Sequence, residues 1–337
     1  MLTKIYEKTT KFIKENIKEL LIIVFIFVLF NFSLPYSIYT PGGMINLDKR
    51  IESKDKLYES VGSINSTYVS MVKGTIPMLL LSKILPSWDV VSNDEITLDE
   101  ENIEDTIKRD KIYMQEAISN ATLVAFKEAN IDIKIKNTEN IITYITNNAI
   151  TNLKTYDNIL EYDNIKFTTF ENFQKYVGEK EEGTKINFKV LRKEATTKAY
   201  AEVIKINEEP KVGIMLSSIN EYDSNPQISV KTKSSESGPS AGLMTALAIY
   251  NAIIEEDITQ RRIIAGTGTI DELGNVGEIS GVKYKIAGAE KRGADIFLCP
   301  KENYEEAKKF TENEGYDIII MSIDKFSDAI DYLKGSE

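Results

Sequence analysis

The sequence predicts an α/β domain at its C-terminus, a β-rich region ahead of it and a transmembrane helix at the N-terminus. Three patterns carry this reading. Beyond Pro210, strand-like and helix-like runs alternate, as in α/β domains. Between Ile131 and Ile206, short runs of β-type residues dominate, with one helical interruption. From Leu20 to Phe30 every residue is apolar. The 337 residues are enough for two domains or three small ones, and 42% hydrophobic with 28% charged residues is ordinary for folded protein.

The composition excludes several chemistries. There is no histidine and a single cysteine, Cys299, so a Ser-His-Asp triad, a Cys-His dyad, a His-liganded zinc site and an internal disulfide are all ruled out. No metal ligand set and no cofactor site is expected. A net charge of −11, with no Lys/Arg-rich stretch interleaved with aromatics beyond the N-terminus, argues against nucleic acid as a partner.

Lys4, Lys8, Lys11, Lys14 and Lys18 make residues 1–18 a basic tail, and an apolar anchor is expected over 19–35. The run is short beside the roughly 20 residues a spanning helix needs, but Ile17 and the stem of Lys18 extend it. A buried soluble helix usually keeps a polar stripe, and this run has none. Phe32-Ser33-Leu34-Pro35-Tyr36-Ser37 offers no small-residue cleavage site of the signal-peptide kind. No lysine or arginine follows until Lys49, so the positive-inside rule places the N-terminus in the cytoplasm and the rest outside the cell membrane, in a single-pass arrangement.

Residues 36–129 are expected as an extracytoplasmic β/α region. Tyr36 to Tyr39 and Ser63 to Val72 read as β-like, with turn signals at Pro41-Gly42-Gly43 and Lys73-Gly74. An acidic stretch, Asp94 to Asp105, leads into a helix marked by Tyr113, Ala117, Ala121, Val124, Ala125 and Ala129. Over 130–207 the pattern is a strand at Asn158 to Asp163, a helix at Thr169 to Val177 and an alternating strand at Lys185 to Leu191, with Ile186, Phe188 and Val190 on one side. This segment resembles the second half of a PDZ domain in a degenerate form, without a clear Gly-rich carboxylate-binding loop before it. Gly178 to Lys185 approaches a P-loop, but Thr184 separates the second glycine from the lysine, so no nucleotide site is expected.

Over 208–337, strands at Val212 to Ile219, Arg262 to Ile270, Ala294 to Cys299 and Tyr316 to Met321 alternate with helices. Those helices are Ser240 to Ile254, Lys283 to Arg292, Glu302 to Asn313 and Asp324 to Leu333. Gly238-Pro239-Ser240-Ala241-Gly242 opens the first of them and matches G-x-S-x-G, but the α/β-hydrolase mechanism needs a histidine. A serine before an apolar helix is most often an N-cap. Pro239, however, suits a first helical turn, which puts Ser240 just inside the helix. Gly238 and Gly242 leave room for a substrate backbone, and free N–H groups of the first turn are ready donors for an oxyanion. What the serine lacks is a base, and Lys283 and Lys285 are both candidates.

Four segments together resemble the Lon family of serine proteases in order and spacing. They are Ser237-Gly238-Pro239-Ser240-Ala241-Gly242-Leu243-Met244, Gly266-Thr267-Gly268-Thr269-Ile270, Gly281-Val282-Lys283-Tyr284-Lys285 and Pro300-Lys301-Glu302-Asn303. The layout is similar to the membrane-anchored, ATP-independent PDZ–Lon proteases of Gram-positive-type bacteria. Family members often carry an acidic residue before the Gly-Pro-Ser; here it is Ser237, with Glu236 one further back. The resemblance implies a Ser-Lys dyad of Ser240 and Lys285, with Thr267 at the position whose hydroxyl holds the lysine amine, and it suggests a hexameric ring. The helical face agrees on the lysine: Lys285 shares a side with Gly281, Val282, Gly288 and Ala289, whereas Lys283 lies with Ala287, Glu290 and Lys291.

Burial is what the chemistry requires, since a free lysine titrates near ~10.4 and desolvation can lower that by about 3–5 units. The expectation is an ATP-independent serine endopeptidase acting on extracytoplasmic polypeptides or secreted peptides. Two alternatives stand beside it: an inactive extracytoplasmic peptide-binding module, and a signal-peptidase-like Ser-Lys protease. The second usually sets its serine in Ser-Met-x-Pro on a β-rich scaffold.

Overall fold

The apolar N-terminal run forms a helix shorter than its composition suggests. In a computed structural model, which describes residues 2–85, 87–99 and 101–335, α1 spans Leu2–Glu15 and α2 spans Ile17–Asn31. Asn16 interrupts the helix with φ −116° and ψ 24°, although its N–H still donates to Phe12 O and its own carbonyl accepts from Leu20 N–H, both at 3.0 Å. The expected 19–35 span is corrected at its C-terminal end. Pro35 disfavours helical backbone at Leu34, and the chain turns extended at Phe32. The 15 residues of α2 rise about 22 Å, against about 30 Å of bilayer hydrocarbon. Among the described residues no helix is long and apolar enough to cross a membrane. None of the side chains of α2 is buried.

Two compact units follow from the contacts: residues up to Pro41 with Val69–Ile96, and Gly42–Tyr68 with the chain from Thr97 onward. Strands β1 (Ser33–Asn46) and β2 (Ser63–Thr75) each contribute residues to both units. The first unit holds α1, α2, α3 (Ile76–Ser82) and β3 (Asp89–Ser92). Tyr36–Tyr39 of β1 pair antiparallel with β3. Lys73-Gly74, expected as a turn, continues β2, because a side chain at Gly74 would come within 2.6 Å of the Tyr36 carbonyl oxygen.

In the second unit the long helix α4 (Ile103–Glu128) starts at Asn102, whose side chain accepts from the N–H groups of Glu104 and Asp105. Then come β4 (Ile133–Ile145), β5 (Asn158–Tyr162), α5 (Phe170–Gly178), β6 (Lys185–Arg192) and β7 (Ala195–Glu202). After them β8 (Ile214–Ser224) returns to close an antiparallel sheet in the order β8-β4-β5-β6-β7. Ile186, Phe188 and Val190 are buried on one side of β6 as the alternation predicts, and Phe173 of α5 packs on Phe188.

The remaining elements are α6 (Gly242–Ile253), β9 (Ile263–Gly266), β10 (Thr269–Ile270), β11 (Val276–Gly277) and α7 (Val282–Glu290). They are followed by β12 (Ile296–Pro300), α8 (Tyr304–Glu314), β13 (Ile319–Ile323) and α9 (Phe326–Lys334). Strands β13, β12, β9 and β2 run parallel in that order. Ile64 of β2 pairs with Ile264 of β9, so residues from the expected 36–129 region form part of the C-terminal core. Pro41-Gly42-Gly43, expected as a turn, lies within β1 instead. There a side chain at Gly42 would meet Tyr68 O, and one at Gly288 of α7 would come within 3.1 Å of the Gly42–Gly43 backbone.

Helix α6 is the centre of the unit, with Gly242 through Asn251 all buried among α4, β9 and α9 side chains. At Gly266 an added Cβ would sit 2.5 Å from Met244 Sδ and 2.7 Å from Leu298 O. Gly266→Ala is expected to destabilise the protein by about 1–3 kcal/mol through overpacking. Urea denaturation checks this as a lower midpoint with an unchanged slope.

Candidate active site

The turn that carries Ser240, the candidate nucleophile, is built by backbone hydrogen bonds. Gly238 has φ +92°, a conformation that favours glycine, and its N–H donates to Asp110 O of α4 at 2.9 Å. Gly242 N–H donates to Pro239 O at 3.1 Å and Leu243 N–H to Gly268 O at 3.0 Å. Ser240 thus lies in the turn before α6, not inside the helix, and Ala241 is the N-cap with no side-chain cap bond. The capping explanation of Ser240 fails with it. The two flanking glycines also part company. The position of Gly238 is open, whereas a side chain at Gly242 would strike Ile270 at 2.9 Å, so Gly242 serves packing.

Upstream, the segment 231–237 is held by Arg50. Lys231 N–H donates to Arg50 O at 2.8 Å, and the guanidinium reaches Lys231 O and the Glu236 carboxylate. Glu236 also accepts from Lys233 N–H at 2.8 Å. The acidic residue one place back from Ser237 is therefore engaged in shaping this segment.

Lys285 stands on α7, whose N-cap Gly281 takes the left-handed conformation at φ +72°. Val282, Ile286 and Ala289 on the same side are fully buried, and Lys285 itself is 3% exposed. Lys283 lies half-buried on another side, its amine 5.0 Å from the Tyr284 ring centre. The structure brings Lys285 to Ser240, with Nζ 2.7 Å from Ser240 Oγ and 2.7 Å from Thr267 Oγ1. Thr267, fully buried, donates its hydroxyl to Ser240 O at 2.9 Å, and Gly268 N–H donates to the same oxygen at 2.8 Å. Thr267 can then only accept from the amine, which turns the nitrogen lone pair of a neutral Lys285 toward the Ser240 hydroxyl.

Desolvation lowers the Lys285 pKa from 10.5 to about 7. Near neutrality about half of the amine is therefore unprotonated and able to accept a proton. Cys299, the sole thiol, is buried and pushed up to about 12, far from a reactive thiolate. Among the described residues no group of three or more acidic or cysteine side chains is placed to hold a metal ion.

Residues 194–334 match the Lon protease (S16) C-terminal proteolytic domain, and residues 124–203 match a PDZ domain. Lon protease of Campylobacter jejuni is 37% identical over 126 residues, 36% of this chain and 16% of that protein. Lon protease 1 of Thermus thermophilus is 34% identical over 96 residues, 28% of this chain and 12% of that protein. Lon protease 1 of Bacillus subtilis is 33% identical over 87 residues, 25% and 11% respectively. The matched part therefore spans 16% or less of these relatives' lengths. The chain is PDZ–Lon-like, with a Lon-type proteolytic domain following a PDZ domain, and that similarity supports a serine peptidase.

Sequence reasoning missed Asp110 and Arg50. Both act on the nucleophile turn across long sequence separations, Asp110 through a backbone carbonyl, which carries no residue-type signal. For Lys285 the unfolded chain binds one more proton than the folded protein between pH about 7 and 10.5. Stability from this group therefore rises with pH across that window, and the full penalty applies below it. At about 1.36 kcal/mol per pH unit the penalty approaches 5 kcal/mol. Lys285→Met is expected to raise stability by a few kcal/mol at neutral pH and below, the gain fading toward pH 10.5. Paired denaturation curves across that range test it.

Proposed function

We propose that the chain is an ATP-independent serine endopeptidase in which Ser240 is the nucleophile and Lys285 the general base. The observation that carries this reading is the 2.7 Å approach of Ser240 Oγ to an amine whose pKa burial has brought to about 7. Neutral Lys285 takes the Ser240 proton as Oγ bonds to the scissile carbonyl carbon. The resulting ammonium gives that proton to the departing amine nitrogen as the C–N bond breaks, leaving an acyl-enzyme. Water then attacks the ester, with the amine again as base, and Ser240 is regenerated. Thr267 holds the amine in register. The N–H groups of Gly242 and Leu243 are engaged, which leaves those of Ser240 and Ala241 to meet the oxyanion.

The substrates in this reading are exposed or unstructured segments of extracytoplasmic polypeptides, including secreted peptides, since no nucleotide motif in this sequence would drive unfolding. A hexameric ring remains a proposal from the resemblance, read by light scattering. The peptide-binding-module alternative predicts no turnover.

The chain is placed at the membrane in this proposal by α2. Leu21, Ile22, Ile23, Phe25 and Phe27 are all about 60% exposed, more apolar surface than water tolerates on one helix. Local thinning of the bilayer and the reach of Lys18 accommodate a short span. The lysine bias keeps the N-terminus inside and the protease outside.

Cleavage of an unstructured protein by the full chain should be abolished in Ser240→Ala and Lys285→Ala, by at least about 10³-fold. Lys283→Ala should stay near wild type, and ATP should have no effect. The pH dependence of kcat/KM should rise below about 7 and level off above it, as a base titrating there requires. Wild-type turnover by Ser240→Ala would sink the reading. For the anchor, the full chain should stay with phosphatidylcholine vesicles through a high-salt wash.

A further inference from the structure

Helix α1 is amphipathic in a way the membrane reading does not require. Ile5, Tyr6, Phe12 and Ile13, continued by Ile17 beyond Asn16, fall within an arc of about 140° at 3.6 residues per turn. Lys8, Lys11 and Lys14, continued by Lys18, fall within about 120° on the opposite side, with Glu7 and Glu15 among them. Ile5, Tyr6, Phe12, Ile13 and Ile17 are all between 43% and 72% exposed. The Lys11–Glu15 pair, with both side chains largely in solvent at 3.8 Å, leaves the excess of cationic charge on this side in place. Among the described residues, these apolar side chains of α1 stand exposed, as do those of α2 that follow.

We propose that α1 lies in the plane of an anionic phospholipid surface, with Ile5, Phe12 and Ile13 among the acyl chains and the lysines at phosphate level. The inference rests on the reading that α2 embeds in the bilayer. Charge complementarity selects the occupant. An exposed helix with a lysine-rich polar side and an aliphatic and aromatic opposite side has the chemistry of an interfacial helix, and each lysine adds attraction to an anionic leaflet. Asn16, with φ −116° and ψ 24°, interrupts the helical backbone between α1 and α2, so α1 can leave the axis of α2 at the end of α2, where that leaflet lies. A lysine-rich tail held only by charge would need no apolar side.

The test uses the full chain carrying Ile13→Cys or Glu7→Cys, labelled with an environment-sensitive fluorophore; the native Cys299 is fully buried and stays unlabelled. The chain is reconstituted into vesicles of phosphatidylcholine alone or phosphatidylcholine with phosphatidylglycerol, with acyl-brominated lipid as quencher. In the anionic vesicles the probe at 13 should shift to the blue and be quenched, while the probe at 7 should do neither. Lys8→Gln with Lys11→Gln should weaken docking by about tenfold or more. Equal quenching at 13 in pure phosphatidylcholine, equal behaviour of both positions, or a blue shift at 13 that brominated lipid does not quench would each overturn the proposal. The last outcome would point to a protein surface as the occupant. Retention on vesicles with an unshifted probe rejects α1 docking alone, whereas loss of the chain from all vesicles rejects the α2 reading as well.

Discussion

One buried amine governs the layout of the C-terminal half. An ammonium group out of water is unfavourable by several kcal/mol, so Lys285 is tolerated in its place only because it can be neutral and because the surrounding core is deep. That core is supplied by Val282, Ile286 and Ala289 of α7, by the Gly42–Gly43 backbone against Gly288, and by the wholly buried α6. Thr267 ties the arrangement together. Its side chain accepts from the amine and donates to the serine carbonyl, so Ser240 and Lys285 share one support. The left-handed Gly281 starts α7 at the angle that carries Lys285 inward.

Most of the C-terminal alternation could be read from the sequence, because its helices and strands are local patterns. Helices α6, α7, α8 and α9 and strands β9, β12 and β13 fall within a few residues of their expected places. That Lys285 and not Lys283 is the buried lysine was legible for the same reason: a helix puts positions 282, 285 and 289 on one side, and all three are buried. What could not be read was pairing at a distance. Nothing in Ser63 to Ser66 signals a parallel partner near residue 264, since a buried parallel strand and an antiparallel one share the same residue preferences. The glycines misled in a consistent way. Gly42, Gly74 and Gly242 looked like turn or substrate positions, but each answers to a neighbouring backbone or side chain that periodicity does not reveal.

The two halves of the second unit are interleaved in sequence. Strand β8 completes the sheet of β4, β5, β6 and β7, and the same chain then runs through the Arg50-held segment to the nucleophile turn. Helix α4 serves both sides: its Ser119 hydroxyl bonds Asn220 of β8, its Asp110 carbonyl takes Gly238 N–H, and its Asn120 amide reaches Ile270 O beside Gly242. A boundary drawn at residue 207 separates motifs but not structure.

The enclosure of the proposed base carries one more consequence. Catalytic dyads built on ion pairs have a field that mobile ions weaken, and their rates respond to ionic strength. In the proposed dyad the partner of the serine is an amine more than nine-tenths enclosed, its pKa lowered to about 7 by desolvation alone. About half of it is therefore uncharged near neutrality, and nearly all of it at higher pH. A charge so enclosed is shielded from dissolved salt, so in that proposal turnover is indifferent to salinity even where the net charge of −11 makes encounter with a charged substrate sensitive to it.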